Sequence, residues 1–284
     1  MRRLLSCLLL LIVAFPAAAQ SGIGRTLSGV VLDSATRRPL PYATVGVVGQ
    51  PVGTVADDAG RFRLALPATV APTDPVRFGL VGYCSRTVPV AALPAGPLTV
   101  PLPEAAVALP EATVRARGLD TVRIGTHRYK TTLQTNFAIG EQPGQNVGSE
   151  IGRVFQFPRK GAWLESFRCV VTSGFDTVRL RLNLYRLRDG VPAEPLLNRP
   201  LYQELIGAKA RWVTFNLRAE NLFVTDGEVV AAVEWVNHSR QQKTLAIPLL
   251  MPAFATHLYR YGAANRWKRF PGMSTTMELT VLKM

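Results

Sequence analysis

Val178-Arg179-Leu180-Arg181-Leu182-Asn183-Leu184-Tyr185-Arg186 alternates from its first residue to its last. Successive side chains of a strand point to opposite faces. Val178, Leu180, Leu182 and Leu184 therefore share one face, and Arg179, Arg181, Asn183 and Tyr185 the other. Downstream, Trp212-Val213-Thr214-Phe215-Asn216-Leu217 repeats the alternation with Val213, Phe215 and Leu217 inward. Glu228 to Val236 is apolar almost throughout, as expected of a central strand covered on both faces. Met277-Glu278-Leu279-Thr280-Val281-Leu282 reads as a closing strand. Residues 131–284 are thus expected to hold eight or so strands in a jelly-roll-like β-sandwich.

Upstream the pattern is shorter but of the same kind. Leu27 to Asp33, Tyr42 to Val48, Arg61 to Leu66, Val76 to Leu80 and Arg86 to Val90 read as strands. Ser34 to Pro39 and Asp57-Asp58-Ala59-Gly60 read as turns, Gly60 supplying the permissive backbone. Phe62, Leu64 and Leu66 share one face. No stretch here has the 3.6-residue period of an amphipathic helix, and regular short strands with Gly/Pro punctuation predict a sandwich or barrel. The chain is therefore expected to be all-β, with one sandwich over residues 26–104 and a second over 131–284. Between them, 105–130 is read as linker, with a strand lying along one of the sandwiches as the alternative.

A chain of 284 residues suits two domains. Its start is not read as part of either. Arg2-Arg3, the apolar run Leu4 to Phe15 and Ala17-Ala18-Ala19 have the order of a secretory signal peptide spanning 1–19. The run is too short for a membrane span. It also continues past Cys7, which sets Leu4-Leu5-Ser6-Cys7 apart from a lipoprotein box. No later stretch is apolar for long enough to cross a bilayer as a helix, so no transmembrane segment is expected after cleavage. Of the three cysteines, Cys84 and Cys169 follow the signal. They fall in different domains and are read as two isolated, buried, unreactive thiols rather than as a bridge. The formal charge is +14, two units of it in the signal. The arginines are dispersed and no nucleic-acid module accompanies them, so nucleic acid is not an expected partner.

Four blocks carry a resemblance. They are Ser28-Gly29-Val30-Val31-Leu32-Asp33; Arg38-Pro39-Leu40-Pro41-Tyr42-Ala43-Thr44-Val45; Gly53-Thr54-Val55-Ala56-Asp57-Asp58-Ala59-Gly60-Arg61-Phe62; and Val81-Gly82-Tyr83. In order and spacing, residues 27–102 resemble the carboxypeptidase regulatory-like family of exported Bacteroidota proteins. The resemblance implies a seven-stranded transthyretin-like sandwich without catalytic residues of its own. Leu109-Pro110-Glu111-Ala112-Thr113-Val114 is similar to the segment that follows this module in TonB-dependent outer-membrane receptors. No plug domain is recognisable after it, and serial ten-residue strands with aromatic girdles are lacking. The receptor role is therefore not carried over. The run from Leu182 to Trp235 loosely resembles carboxy-terminal sandwich domains attached to this module.

The family name invites a test for zinc chemistry. A catalytic zinc needs about three ligands at ligand spacing and a carboxylate to activate water. His127, His238 and His257 belong to no His-x-x-Glu or His-Glu-x-x-His pattern, their surroundings read as strand or loop, and each is read as structural. No Gly-x-Ser-x-Gly elbow is present. Gly140, Gly144, Gly148 and Gly152 recur every four residues without the Lys-Ser/Thr ending of a phosphate loop, and are read as a loop entering the second domain. No enzyme activity, cofactor or metal is expected.

Binding is the favoured role. The four tryptophans and Tyr185, Tyr202, Tyr259 and Tyr261 all fall in the second half. Tyr185 beside Arg179, Arg181 and Asn183 is the arrangement that would suit a sugar, with its one apolar face and many hydroxyls. Glu234, alone among acids in lying within an apolar strand, demands a partner, and Arg179 or Arg181 is expected to supply it. Arg179, Arg181, Tyr185 and Glu234 are therefore the candidate ligand-binding residues. The expected protein is a non-enzymatic binding or adaptor module, exported to the periplasm or cell surface. Its expected partner is an envelope glycan or another envelope protein. A purely structural role and an undetected hydrolase are the alternatives.

Overall fold

The computed structural model describes residues 23–105, 120–126, 131–138, 146–157, 160–207, 209–225, 227–239 and 244–283. The signal sequence, Leu109 to Arg115, His127, Gly140 and Gly144 lie outside the described residues.

The first domain is a seven-stranded sandwich. Its strands are β1 (Ile23–Asp33), β2 (Thr44–Val47), β3 (Gly53–Val55), β4 (Arg61–Pro67), β5 (Pro75–Gly79), β6 (Arg86–Pro89) and β7 (Leu98–Leu102). One sheet has the order β4-β1-β7 and the other β3-β2-β5-β6. Inward residues from both meet in an apolar core that includes Leu27, Val31, Val45, Phe62, Leu64, Leu66, Phe78 and Val100. Phe62 and Phe78 touch edge to face across it, with ring centroids 5.7 Å apart.

The motif blocks explain the turns. Asp57 Oδ1 accepts from the amides of Ala59 (2.9 Å) and Arg61 (2.8 Å), which folds the chain back into β4. Asp33 Oδ1 does the same for Ala35 (2.8 Å) and Thr36 (2.7 Å) after β1. Its other oxygen accepts from the Tyr83 hydroxyl at 3.2 Å, so the first and last blocks are tied together.

The second domain is a larger sandwich. Its strands are β8 (Asp120–Gly125), β9 (Gln134–Asn136), β10 (Glu150–Phe157), β11 (Ala162–Ser173), β12 (Thr177–Arg188), β13 (Val191–Pro195), β14 (Leu201–Ile206) and β15 (Arg211–Asn216). They continue with β16 (Phe223–Val224), β17 (Gly227–His238), β18 (Leu245–Leu250), β19 (Thr256–Arg260), β20 (Lys268–Pro271), β21 (Ser274–Thr275) and β22 (Met277–Lys283). A seven-stranded sheet runs β13-β12-β17-β10-β19-β20, with β14 also on β12. An eight-stranded sheet runs β21-β18-β11-β22-β8, with β15 and β16 on β11 and β9 on β18. The domain therefore has more strands than the eight or so expected, in part because the short pieces β9, β16 and β21 extend the eight-stranded sheet.

The core between these sheets takes Val178, Leu180, Leu182 and Leu184 from β12, as the alternation predicts. It takes Val229, Ala231, Val233 and Trp235 from β17. The opposite face of β17 is buried as well, under Val230 and Ala232, which is why this strand is apolar on both sides.

Three expectations need correction. Asp120–Gly125, inside the segment read as linker, is a strand paired with β22, as in the alternative reading of that segment, with Ile124 opposite Leu279 and Val122 opposite Val281. Gly152 lies within β10 rather than in a loop. Cys84 is exposed, following the turn at Gly82, and only Cys169 is buried; both thiols are free. Among the described residues no helix is long and apolar enough to cross a membrane.

Candidate functional site

The outer face of the seven-stranded sheet is where the first domain docks. Gly82 has a φ of +87°, and a Cβ there would lie 2.2 Å from the Asn198 carbonyl oxygen. Only glycine permits both that backbone and that approach. Gly53 is similarly close, since its Cβ would meet the Ala263 amide nitrogen at 2.8 Å. The Gly49 amide donates to the Ala264 carbonyl (2.9 Å). Val81 packs against the core of the second domain. Three of the four motif blocks form part of the joint, since Tyr42 of the second block also meets β12.

The candidate residues Arg179, Arg181, Tyr185 and Glu234 come together on this face, on β12 and β17. Arg181 Nε and Nη2 donate to Glu234 Oε2 at 2.9 and 2.7 Å, and Asn183 Nδ2 donates to the same oxygen at 2.8 Å. Arg181 Nη1 donates to the Tyr42 carbonyl of the first domain at 2.8 Å. Arg179 also reaches across: it donates to Asp58 Oδ1 at 3.2 Å, to the Tyr42 hydroxyl, and within its own sheet to Glu204 Oε2 at 2.6 Å. Its guanidinium lies 5.0 Å from the centre of the Tyr42 ring. Tyr42 holds a φ of +59°, an uncommon backbone for a tyrosine, and is fastened at both its carbonyl and its hydroxyl.

The face of β12 read as suiting a sugar is therefore largely covered. Arg181, Asn183 and Glu234 are 2, 3 and 1% exposed, because the first domain covers them. The two arginines hold the domains together, and Arg181 is the partner that Glu234 required.

Two residues not foreseen complete the arrangement. Glu150 on β10 stands opposite Glu234 on one side and Arg260 of β19 on the other. Arg181 in turn stands opposite Glu234 and Tyr202. The sheet thus carries a row reading Tyr202, Arg181, Glu234, Glu150, Arg260 across five adjacent strands. Arg260 Nε donates to Glu150 at 3.1 Å, and the Tyr185 hydroxyl donates to the same carboxylate at 3.1 Å. Tyr185 meets Trp267 edge to face, with centroids 5.9 Å apart. Two carboxylates directly opposite each other would repel, and a guanidinium at each end offsets this.

The electrostatics follow from burial. Burial raises the pKa of Glu234, Arg181 opposes the rise, and Glu150 adds to it. Burial works against the Arg181 charge, yet Glu234 beside it carries that guanidinium above the ordinary arginine value. Burial, reinforced by Glu150, pushes the Tyr185 hydroxyl well above 10.

Between the domains a cavity of about 480 Å³ remains. Thr44, Arg77 and Val81 to Tyr83 line it from the first domain, and Arg181, Asn183, Tyr185, Glu234 and Arg260 from the second. Glu234 Oε1 and Asn183 Oδ1 are buried acceptors with no donor.

Residues 27–114 match the CarboxypepD_reg-like domain model. The first sandwich is a CarboxypepD_reg-like domain. No curated protein matches the chain. Among solved structures, the chain is similar to the cysteine protease and lectin-like domains of Cwp84, a surface layer associated protein of Clostridium difficile. That similarity has 12% identity and a TM-score of 0.35, over 48% of this chain and 33% of the other. The chain therefore spans about a third of that protein's structure. It is also similar to a putative carbohydrate binding protein from Bacteroides uniformis ATCC 8492, with 11% identity and a TM-score of 0.23 over 93% of this chain and 100% of that one.

Among the described residues no group of three or more His, Cys, Asp or Glu side chains could hold a metal. His238 packs against Phe175 and Trp235, and His257 Nδ1 lies 3.3 Å from the Gly152 carbonyl. Of the tryptophans, Trp163 and Trp235 are buried, and Trp212 and Trp267 are half-buried under Arg168 and Arg260.

Proposed function

We propose that this is an exported, non-enzymatic binding protein of the bacterial envelope, and that its ligand is a glycan held in the cleft beneath the CarboxypepD_reg-like domain. The observation that carries this reading is the 480 Å³ cavity, lined by Arg181, Asn183, Tyr185, Glu234 and Arg260, together with two buried acceptors of that lining, Glu234 Oε1 and Asn183 Oδ1, that have no donor. A buried acceptor without a donor costs about 1–3 kcal/mol. A ligand rich in hydroxyls supplies the missing donors, and the Tyr185 ring offers it an apolar wall. The volume lies within the range of small-ligand sites. The signal-like start of the chain supports export.

The test is binding of the full mature chain, from Gln20 on, to a panel of polysaccharides and envelope glycans. Saturable binding that Asn183→Ala weakens about tenfold, the worth of one hydrogen bond to a charged or buried group, is the expected result. Absence of binding across the panel overturns the glycan reading. A hydrolase is the second reading. It is favoured by Glu234, whose pKa is raised by burial, standing opposite Glu150. Cleavage of a panel glycan by the wild type but not by Glu234→Gln would establish it.

A further inference from the structure

A second cavity lies around the edge of β10 and shares no lining residue with the interdomain cavity. It measures about 590 Å³ and opens where β19 stops pairing with β10. Beyond Arg153 that edge of β10 has no neighbouring strand among the described residues, and the loop from Ala253 to Thr256 stands beside it.

Arg153 projects into this cavity from the core-facing side of β10, in line with Ile151 and Phe155. It donates through Nη1 to the Thr126 hydroxyl and to the Met277 carbonyl (3.3 Å). Its guanidinium lies 5.2 Å from the centre of the Phe155 ring. No carboxylate pairs with it among the described residues, and its Nε has no partner. The other buried or half-buried arginines of the sandwich behave differently: Arg168, Arg179, Arg181 and Arg260 each hold a glutamate. Burial pulls the Arg153 guanidinium down to about 10. The charge is being kept in an apolar setting without a counter-charge, an arrangement that disfavours the fold unless something offsets it.

The rest of the lining describes what would offset it. Phe254 lines the same cavity and is wholly exposed, at 113% of its reference area. Glu228 also lines it and accepts from Gln156 Nε2, which leaves its carboxylate able to accept further bonds. An aromatic face, a carboxylate acceptor and an unneutralised guanidinium are the three requirements of one ligand class.

We propose that this cavity binds an acidic saccharide, a uronic-acid residue whose carboxylate pairs with Arg153, whose hydroxyls reach Glu228 and whose apolar ring face lies on Phe254. The geometry is separate from the interdomain cleft and does not depend on a ligand being bound there. Arg suits a carboxylate because its planar fork meets both oxygens at once.

The experiment is calorimetric titration of the full mature chain with glucuronate, with glucose and with inorganic sulfate. Glucuronate is expected to bind and glucose not to. Arg153→Met is expected to reduce glucuronate affinity at least tenfold, and Phe254→Ala about threefold to tenfold. Methionine fills the stem of Arg153 without its charge, and Phe254, being wholly exposed, can be truncated without disturbing the core, so one variant reports even if the other does not fold. Asn183→Ala, in the interdomain cleft, is expected to leave glucuronate binding unchanged, which separates failure of this site from failure of that one. Three results would each overturn the proposal. They are no binding of glucuronate, glucuronate binding that neither Arg153→Met nor Phe254→Ala weakens, and sulfate binding as tightly as glucuronate with no effect of Phe254→Ala.

Discussion

The two sandwiches solve the same problem with different interiors. The core of the CarboxypepD_reg-like domain is apolar throughout, and Asp33 is its one buried charged or polar side chain among the described residues. The second domain buries Glu150, Glu165, Arg181, Asn183, Glu234, His257 and Glu278. The difference has a location. Four of these, Arg181, Asn183, Glu150 and Glu234, sit on the face that meets the first domain, while the core between the sheets is apolar except for Arg153 and His257 where β10 pairs with β19. A polar layer of this kind becomes buried only when the domains dock, so the second domain carries a surface whose chemistry is completed by its neighbour.

If that is right, the largest effect should come from breaking the layer by removing one partner. Arg181→Ala leaves Glu234 buried without its counter-charge and is expected to cost about 3–5 kcal/mol in chemical denaturation. Replacing both, with Arg181→Leu and Glu234→Leu together, should restore most of that loss. If the double variant is as unstable as the single one, the layer is not acting as a coupled pair. Substitutions in the apolar core of the first domain would show no such rescue.

Acid should also separate the domains. Burial pulls His257 of the second domain down to about 4, from an ordinary 6.5. The unfolded chain therefore binds this proton more tightly, and stability should fall as pH drops from about 6.5 to about 4, by up to about 3 kcal/mol. Thermal midpoints measured across that range should fall for the wild type and flatten in His257→Asn. An unchanged slope in the variant would remove His257 from the account.

A smaller effect tests the joint itself. Gly82→Ala places a Cβ against the Asn198 carbonyl and forces a left-handed backbone on alanine, for about 1–3 kcal/mol. The expected result is that one unfolding transition becomes two in calorimetry. Smallest of all is Arg179→Ala. Its partners Asp58 and Glu204 are largely open to solvent, so about 0.2–1 kcal/mol is expected.

How much of this could be read in advance also differs between the domains. In the first, local chemistry was enough: Asp57 and Gly60 specify their turn, and Phe62, Leu64 and Leu66 their inward face. In the second, β12 and β17 were legible because a long strand repeats its signal many times. β8 was not, since its six residues are exposed or half-exposed along an edge and only Val122 and Ile124 alternate inward. Glu234 drew attention because a charge inside an apolar run needs explaining. Glu150 begins its strand after Gly148-Ser149, and Arg260 lies between two tyrosines, so neither stands out. What no residue announces is that the polar face of β12 is covered. Docking depends on distant surfaces matching, and only the three-dimensional arrangement of Gly53, Gly82 and Tyr42 against their partners reveals it.

The charged row has a consequence for how the chain finds its fold. Val229-Val230-Ala231-Ala232-Val233 would look nearly the same to its neighbours if β17 slid by two residues along β12 and β10. The apolar pattern alone therefore provides a weak stop. Slid one way, Arg181 and Glu150 would both face Ala232; slid the other, both would face Val236. Either misalignment puts an apolar residue between Arg181 and Glu150 and deprives Arg181 of its carboxylate. A single glutamate in the middle strand, read simultaneously from left and right, turns an ambiguous pairing into a unique one.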